Sequence, residues 1–395
     1  MQPISGVTES CSPLINQIAE RFGKRDLLLI EEELRSTIPL TSIVYAADDV
    51  PLKSKFWQIV EQIVTIAIGI IIFPIGIYWL FKAFAESKLM PVVNRKQFTY
   101  ERVHEFCSKA RLDPRTSDNV DHIQRMSVAV EGHLIDAYVV SPNVETLKNR
   151  TWTLVAGGNN GSAEYNALKA CCGGIDSFQR NFARPLNSNL LFFEYPGVMA
   201  SEGPLSMEMI GKVYRAMLKL VSDKENGFGA KELFLLNTSM GGGASARGRV
   251  GYVYPKDIKH VVVNVVTYHS LVAAVTALAG SVMGRLAHWW DWTSDVARES
   301  KRLTEEGIPE IIVYSNADKV VLPEASLAHA MKELHDPDKK AVLFLERGVH
   351  ISSSGNPHTV LPFKESFGRI TELARHYAGG SAEDPRQLIS HFSVS

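Results

Sequence analysis

One serine, set between a short apolar run and a run of very small residues, constrains this chain more than any other feature. Leu233, Phe234, Leu235 and Leu236 read as a buried strand, and Met240, Gly241, Gly242, Gly243 and Ala244 read as the start of a helix, with Asn237, Thr238 and Ser239 between them. A strand that turns straight into a helix around a serine holds that serine in a strained backbone conformation at the end of the sheet. The residues two before and two after it must be small, because the chain there comes close to itself. Gly241 meets the second requirement. Asn237 stands where the G-x-S-x-G pattern has its first glycine, and although asparagine tolerates unusual backbone angles better than most residues, this is a departure from the pattern. A tightly packed Gly-rich turn without chemistry is the alternative.

The rest of the C-terminal two thirds alternates strands with helices, which implies a parallel sheet. Residues 126–131 and 133–140 read as two strands joined by a hairpin at Glu131-Gly132. Residues 151–155 are a strand that runs into Ala156-Gly157-Gly158-Asn159-Asn160-Gly161, a loop whose glycines let the backbone approach a ligand but whose spacing is not that of a dinucleotide-binding turn. Residues 189–195 form a continuous apolar run, as a central strand should. A helix follows with Ile210, Val213, Tyr214, Met217, Leu218 and Val221 on one face. Apolar strands recur at 260–266, 309–314 and 341–345, and residues 363–377 close the domain as an amphipathic helix before a loose tail from 381 to 395. The sequence is thus predicted to be α/β, with Ser239 at the carboxyl end of a central strand, where ligands bind in open α/β sheets.

Two further residues fall at strand ends in the right order. Asp318 lies just past the strand at 309–314, where a carboxylate can hold a histidine ring in one tautomer. His350 lies just past the strand at 341–345, next to Gly348. His358 is the rival base, and Asp336 and Asp338 are the rival acids. A nucleophile, an acid and a base in the chain order Ser, Asp, His, each at the end of a strand, point to a catalytic triad. The residue after the serine, Met240, and Asn159 of the glycine loop would supply backbone N–H groups to an oxyanion. Residues 268–303 do not read as a simple crossover. Trp289, Trp290 and Trp292 cluster there, three of six tryptophans in the chain, and mark either a substrate-binding lid or a satellite core.

Ahead of this domain, Ser12-Pro13 with Leu14, Ile15 and Ile18 signals a short amphipathic helix. Residues 63–81, IVTIAIGIIIFPIGIYWLF, carry no charge. About 19 helical residues span roughly 28 Å, close to the thickness of the hydrocarbon layer. Trp57 precedes the run and Tyr78-Trp79 end it, where aromatic belts sit. Pro74, Gly69 and Gly76 leave open a kinked span, a re-entrant hairpin or a buried core segment. The segmentation is therefore 1–62 without assigned role, 63–81 membrane segment, 82–119 helical linker (including a helix at 100–110), 120–378 catalytic domain and 379–395 tail. Lys53 and Lys55 before the run, and Lys82, Lys88, Arg95 and Lys96 after it, weakly favour a cytosolic face for the large domain. A net charge of -1 gives no basis for nucleic-acid binding. Cys11, Cys107, Cys171 and Cys172 show no zinc spacing.

Taken together, Gly158-Asn159-Asn160-Gly161, Tyr195-Pro196-Gly197 with Ser201-Glu202-Gly203, Ser239-Met240-Gly241-Gly242-Gly243, Asp318 and His350 resemble the α/β-hydrolase superfamily of serine esterases and lipases. More narrowly, the chain is similar to the CHLPS-type hydrolases of intracellular bacterial pathogens, which carry an apolar N-terminal segment before the hydrolase domain. The resemblance covers roughly residues 120–378. It implies an α/β-hydrolase fold and a hydrolase of unspecified natural substrate, either a secreted effector or a membrane-associated factor. A membrane-adjacent site under an apolar lid favours lipid esters or acylated proteins as substrates of acyl-ester hydrolysis. No metal or cofactor is required. A thioesterase or peptidase would use the same triad, and a non-catalytic membrane scaffold that kept the fold is the reading from another class.

Overall fold

A computed structural model describes residues 12–22, 44–46, 121–158, 162–171, 177–289, 292–316, 318–345, 364–380 and 384–390. Among these residues nine strands form one sheet: β1 (Val44–Ala46), β2 (His122–Val130), β3 (His133–Ser141), β4 (Thr151–Ala156), β5 (Asn189–Phe193), β6 (Glu232–Thr238), β7 (Lys259–Val265), β8 (Glu310–Ser315) and β9 (Lys340–Leu345), in the spatial order β1-β2-β3-β5-β4-β6-β7-β8-β9. Only β3 runs against its neighbours β2 and β5; all other pairings are parallel. The β2–β3 turn is the expected pair Glu131-Gly132, both at positive φ (51° and 74°), which matches the right-handed twist of the strands it joins.

The central strands are mostly apolar and almost wholly buried because helices cover both faces of the sheet. Along β6, Leu233 and Leu235 face one core and Phe234 and Leu236 the other, the alternation that the pleat imposes. Helix Met207–Ser222 covers the first face. Ser206 caps it by accepting from the Met209 N–H, and Ile210, Val213, Tyr214, Met217, Leu218 and Val221 are all buried, as their spacing predicts. Helices Phe178–Ala183 and Lys364–Tyr377 cover the second face through Phe178, Phe182, Ile370 and Leu373.

Two N-terminal pieces belong to this unit. Helix Pro13–Phe22 buries Leu14, Ile15 and Ile18 in the first core, and the Ser12 hydroxyl donates to the Gly227 carbonyl. β1 adds in parallel to the edge of β2, with Tyr45 opposite Val128. The C-terminal tail differs from the expected loose end: helix Pro385–Ser390 forms there. Asp384 accepts from the Arg386 N–H, Pro385 takes the first helical position, which it favours, and Leu388 is buried in the second core.

The insertion between β7 and β8 is a hairpin of helices Leu271–Ala279 and Ser281–Trp289, followed by helix Val296–Glu306. Among the described residues no helix is long and apolar enough to cross a membrane. Residues 63–81 and the helix expected at 100–110 lie outside the described residues.

Candidate active site

Ser239 follows β6 directly and precedes helix Met240–Arg249, with φ 52° and ψ −114°. A non-glycine residue in this region costs on the order of 1–3 kcal/mol and persists only where its surroundings over-determine it. Here they do. The Ser239 N–H donates to the Val265 carbonyl at 2.9 Å, its own carbonyl accepts from the Gly242 N–H at 3.1 Å, and the Thr267 hydroxyl donates to the same oxygen at 3.4 Å. The small-residue requirement is met from both sides. A Cβ on Gly241 would run into the Ala156 carbonyl at the end of β4, and a Cβ on Gly158 would lie 3.4 Å from Ser239 Cβ and 3.9 Å from its Oγ. The glycine loop after β4 therefore lies against the serine. Met240, the first residue of the helix, presents an N–H that has no acceptor within the helix.

Asn237, the departure from the glycine pattern, has a physical account. Its side chain points away from the turn into the first core, fully buried. Tyr214 Oη donates to its Oδ1 at 3.1 Å, and its Nδ2 donates to Asn264 Oδ1 at 3.1 Å. Asn264 passes the chain on to Glu310 Oε1 at 2.8 Å. Glu310 pairs with Lys340 Nζ at 2.8 Å, both groups at most 1% exposed. Lys340 also donates to the Ser300 carbonyl and hydroxyl, each at 2.7 Å. An asparagine is accepted here because a hydrogen-bonded slot across β6, β7, β8 and β9 receives it.

Asp318 is buried in the loop after β8. Its Oδ1 accepts from the N–H groups of Val320 (2.8 Å) and Val321 (3.0 Å), so one carboxylate oxygen holds the loop. His350, the rival His358 and Asn159 lie outside the described residues. Of the rival acids, Asp336 and Asp338 belong to the turn before β9: Asp336 Oδ1 accepts from the Asp338 N–H. The tryptophan cluster divides. Trp292 is a core residue, 2% exposed, whereas Trp289 is 68% exposed; Trp290 lies outside the described residues. Sequence spacing did not separate these, since the helix ends between them.

A buried acidic group behind the glycine loop was not singled out from the sequence. Glu194, directly after β5, and Glu164, at the start of helix Ala163–Cys171, lie near Asp136, Arg125 and Tyr138. Arg125 pairs with Asp136 at 2.5 Å. Burial pushes the Glu194 carboxyl up to about 8, only partly offset by N–H groups of Glu164 and Ala163. Burial likewise pushes Glu164 up to about 7, against the pull of Arg125. Their ordinary value is 4.5, so the folded chain holds protons that the unfolded chain has released. Their contribution to stability is complete below about pH 4.5 and is lost as the pH rises through about 7 to 8. Loss of this contribution lowers the melting temperature progressively between about pH 4.5 and 8, and Glu194→Gln is expected to flatten that fall; thermal melts across this range check it.

A mostly parallel sheet with one antiparallel strand, helices on both faces, and a serine at positive φ between the central strand and its helix define an α/β-hydrolase-like fold. The chain belongs to the family described as Chlamydia CHLPS protein (DUF818), whose profile matches residues 43–351. No curated protein matches the chain. Among solved structures it is similar to an esterase of Pyrococcus furiosus (12% identity, covering 74% of this chain and 98% of that one, TM-score 0.48). An alpha-beta hydrolase from Vibrio vulnificus (17%, 67% and 81%, 0.44) and an esterase of Pyrobaculum calidifontis (14%, 73% and 94%, 0.40) are also similar.

Proposed function

We propose that this protein is a membrane-associated serine hydrolase that cleaves carboxylic ester or thioester bonds through an acyl-enzyme. The observation that carries the reading is the Ser239 backbone at positive φ, with the glycine loop against its side chain. Ser239 Oγ attacks the acyl carbonyl while His350 accepts its proton and later returns it to the leaving group. Asp318 orients the imidazole and stabilises its cation. The N–H groups of Met240 and Asn159 hold the oxyanion. Water then releases the acyl group by the same steps.

Lipid esters or acylated proteins suit the surroundings. The insertion roots beside the serine, with Tyr268 Oη 3.9 Å from Met240 Sδ, and its helical hairpin leaves Leu278, Val282 and Trp289 more than half exposed. Together with the uncharged run at 63–81, these side chains support a lid that meets an apolar acyl chain, with Trp289 on its substrate side and Trp292 in the core beneath it, in a protein held at a membrane with its catalytic domain in the cytosol. Delivery as a bacterial effector accords with the family. A fluorophosphonate probe applied to the full chain is expected to label one residue, Ser239, located by peptide mass spectrometry. Absence of label on a folded protein would remove the hydrolase reading.

A further inference from the structure

The motif Glu194-Tyr195-Pro196-Gly197 with Ser201-Glu202-Gly203 has no part in the chemistry above, yet its side chains grip the loop that lies against Ser239. Tyr195 Oη donates to the Gly157 carbonyl at 2.7 Å, at the start of that loop. Glu194 Oε1 accepts from the Glu164 N–H at 3.0 Å, just past its end, and the Ala163 N–H also bonds to this carboxyl. Consecutive residues thus hold the two ends of one loop. Both are nearly inaccessible, Glu194 at 2% and Tyr195 at 5%.

The base of this grip is rigid. The Glu194 N–H donates to the Asp136 carbonyl at 2.9 Å. The turn that follows is tied to β3 three times: the Asp136 N–H donates to Ser201 Oγ at 2.9 Å, the Glu202 N–H to the Leu134 carbonyl at 2.9 Å, and the Leu134 N–H to Glu202 Oε2 at 3.1 Å. β3 is the antiparallel strand, so the loop's position is referred to the part of the sheet on the far side of β5 from Ser239. Gly157 and Gly158 have no side chains with which to anchor themselves. Their backbone is held by β4, which ends at Ala156, and by the bond from Tyr195.

We infer that Glu194 and Tyr195 are positioning residues that set the separation between the Gly157-Gly158 backbone and Ser239, and so the rate of the acyl-transfer step. This rests on the hydrolase reading for its kinetic consequence but not for its structural one. A displacement of about 1 Å at such a site costs on the order of 10²-fold in rate, whereas ground-state binding through the rest of the substrate is unaffected. Glu194 acts as an acceptor, so an amide replaces it and a thioether does not.

The test compares Tyr195→Phe, Glu194→Met, Glu194→Gln and Ser239→Ala in the full chain by p-nitrophenyl ester kinetics, thermal melting and amide hydrogen exchange of the peptide covering 157–164. Tyr195→Phe and Glu194→Met are expected to lower kcat by about 10- to 100-fold with KM within about twofold, and to speed exchange in that peptide. Glu194→Gln should stay near wild type at neutral pH on both counts. Wild-type kcat in Tyr195→Phe and Glu194→Met, with Ser239→Ala inactive, would overturn the positioning role while leaving the hydrolase intact. If the wild-type protein turns over no ester and takes up no serine label, the hydrolase reading fails instead, and unchanged exchange at 157–164 in Tyr195→Phe would then overturn the grip itself. Should Glu194→Met fail to fold, Tyr195→Phe, which keeps its ring against Phe193, decides alone.

Discussion

Ser239→Ala is expected to remove p-nitrophenyl ester turnover while leaving the fold intact, and His350→Ala to remove nearly as much. The alanine cannot attack, and an alcohol without its base is a weak nucleophile at neutral pH. Asp318→Asn is the more discriminating change. Asn keeps an oxygen that can accept from the Val320 and Val321 N–H groups, so the loop should survive. In the proposed triad its NH₂ group would face a ring that needs an acceptor, and the imidazole would turn to the wrong tautomer. A loss of about 10⁴ in kcat follows by analogy with the corresponding change in a trypsin-type triad. Residues acting as one unit do not contribute additively. The check is therefore a double-mutant cycle: Asp318→Asn on top of His350→Ala should cost little more than His350→Ala alone. Near-normal turnover in His350→Ala with loss in His358→Ala would transfer the base to His358. No effect from either, with no serine label, would favour a binding scaffold.

Lys340→Met is expected to destabilise the protein by about 3–5 kcal/mol, since it leaves the Glu310 carboxylate buried without its cation. Glu310 is 0% exposed, and its remaining hydrogen-bond partners are neutral, the Asn264 amide and the Ser300 hydroxyl, while the buried Arg249 guanidinium acts on it only through space. Chemical denaturation at pH 7 reads the loss as a lower midpoint. One control identifies the mechanism. The double change Glu310→Gln/Lys340→Met should recover much of the loss, because neutral groups of similar shape fill the same space. A fall in midpoint that persists in the double variant would point to packing rather than charge.

The parts of this architecture that were legible in the sequence are those set by local pattern. The apolar runs at 233–236 and 189–195 read as buried strands, the spacing of Ile210 to Val221 as one helix face, and Glu131-Gly132 as a hairpin turn. Ser239 was legible because its turn demands small neighbours within two residues. What could not be read depends on partners distant in the chain. Asn237 looks like a defect until Tyr214, Asn264 and, beyond them, Glu310 and Lys340 are seen beside it. β1 is three residues long, too short for any alternation, and is a strand only because β2 offers an edge. Glu194 and Tyr195 sit in a motif of turn residues whose purpose depends on Glu164 and Gly157, 30 and 38 residues earlier.

The pairing of β1 with β2 also restricts any route the chain takes through a bilayer. The chain leaves the sheet at Ala46 and is back in it, on the adjacent strand, by His122. A single sheet lies wholly on one side of a membrane, so the path between those residues must cross an even number of times or none. An excursion that enters, turns and leaves by the same face meets this condition, and Pro74, between Gly69 and Gly76, lies near the middle of the uncharged run at 63–81. On such a path Lys53, Lys55, Lys82 and Lys88 would share the aqueous side of the sheet. An accessibility label placed before residue 63 and one placed after residue 81 should therefore report the same compartment.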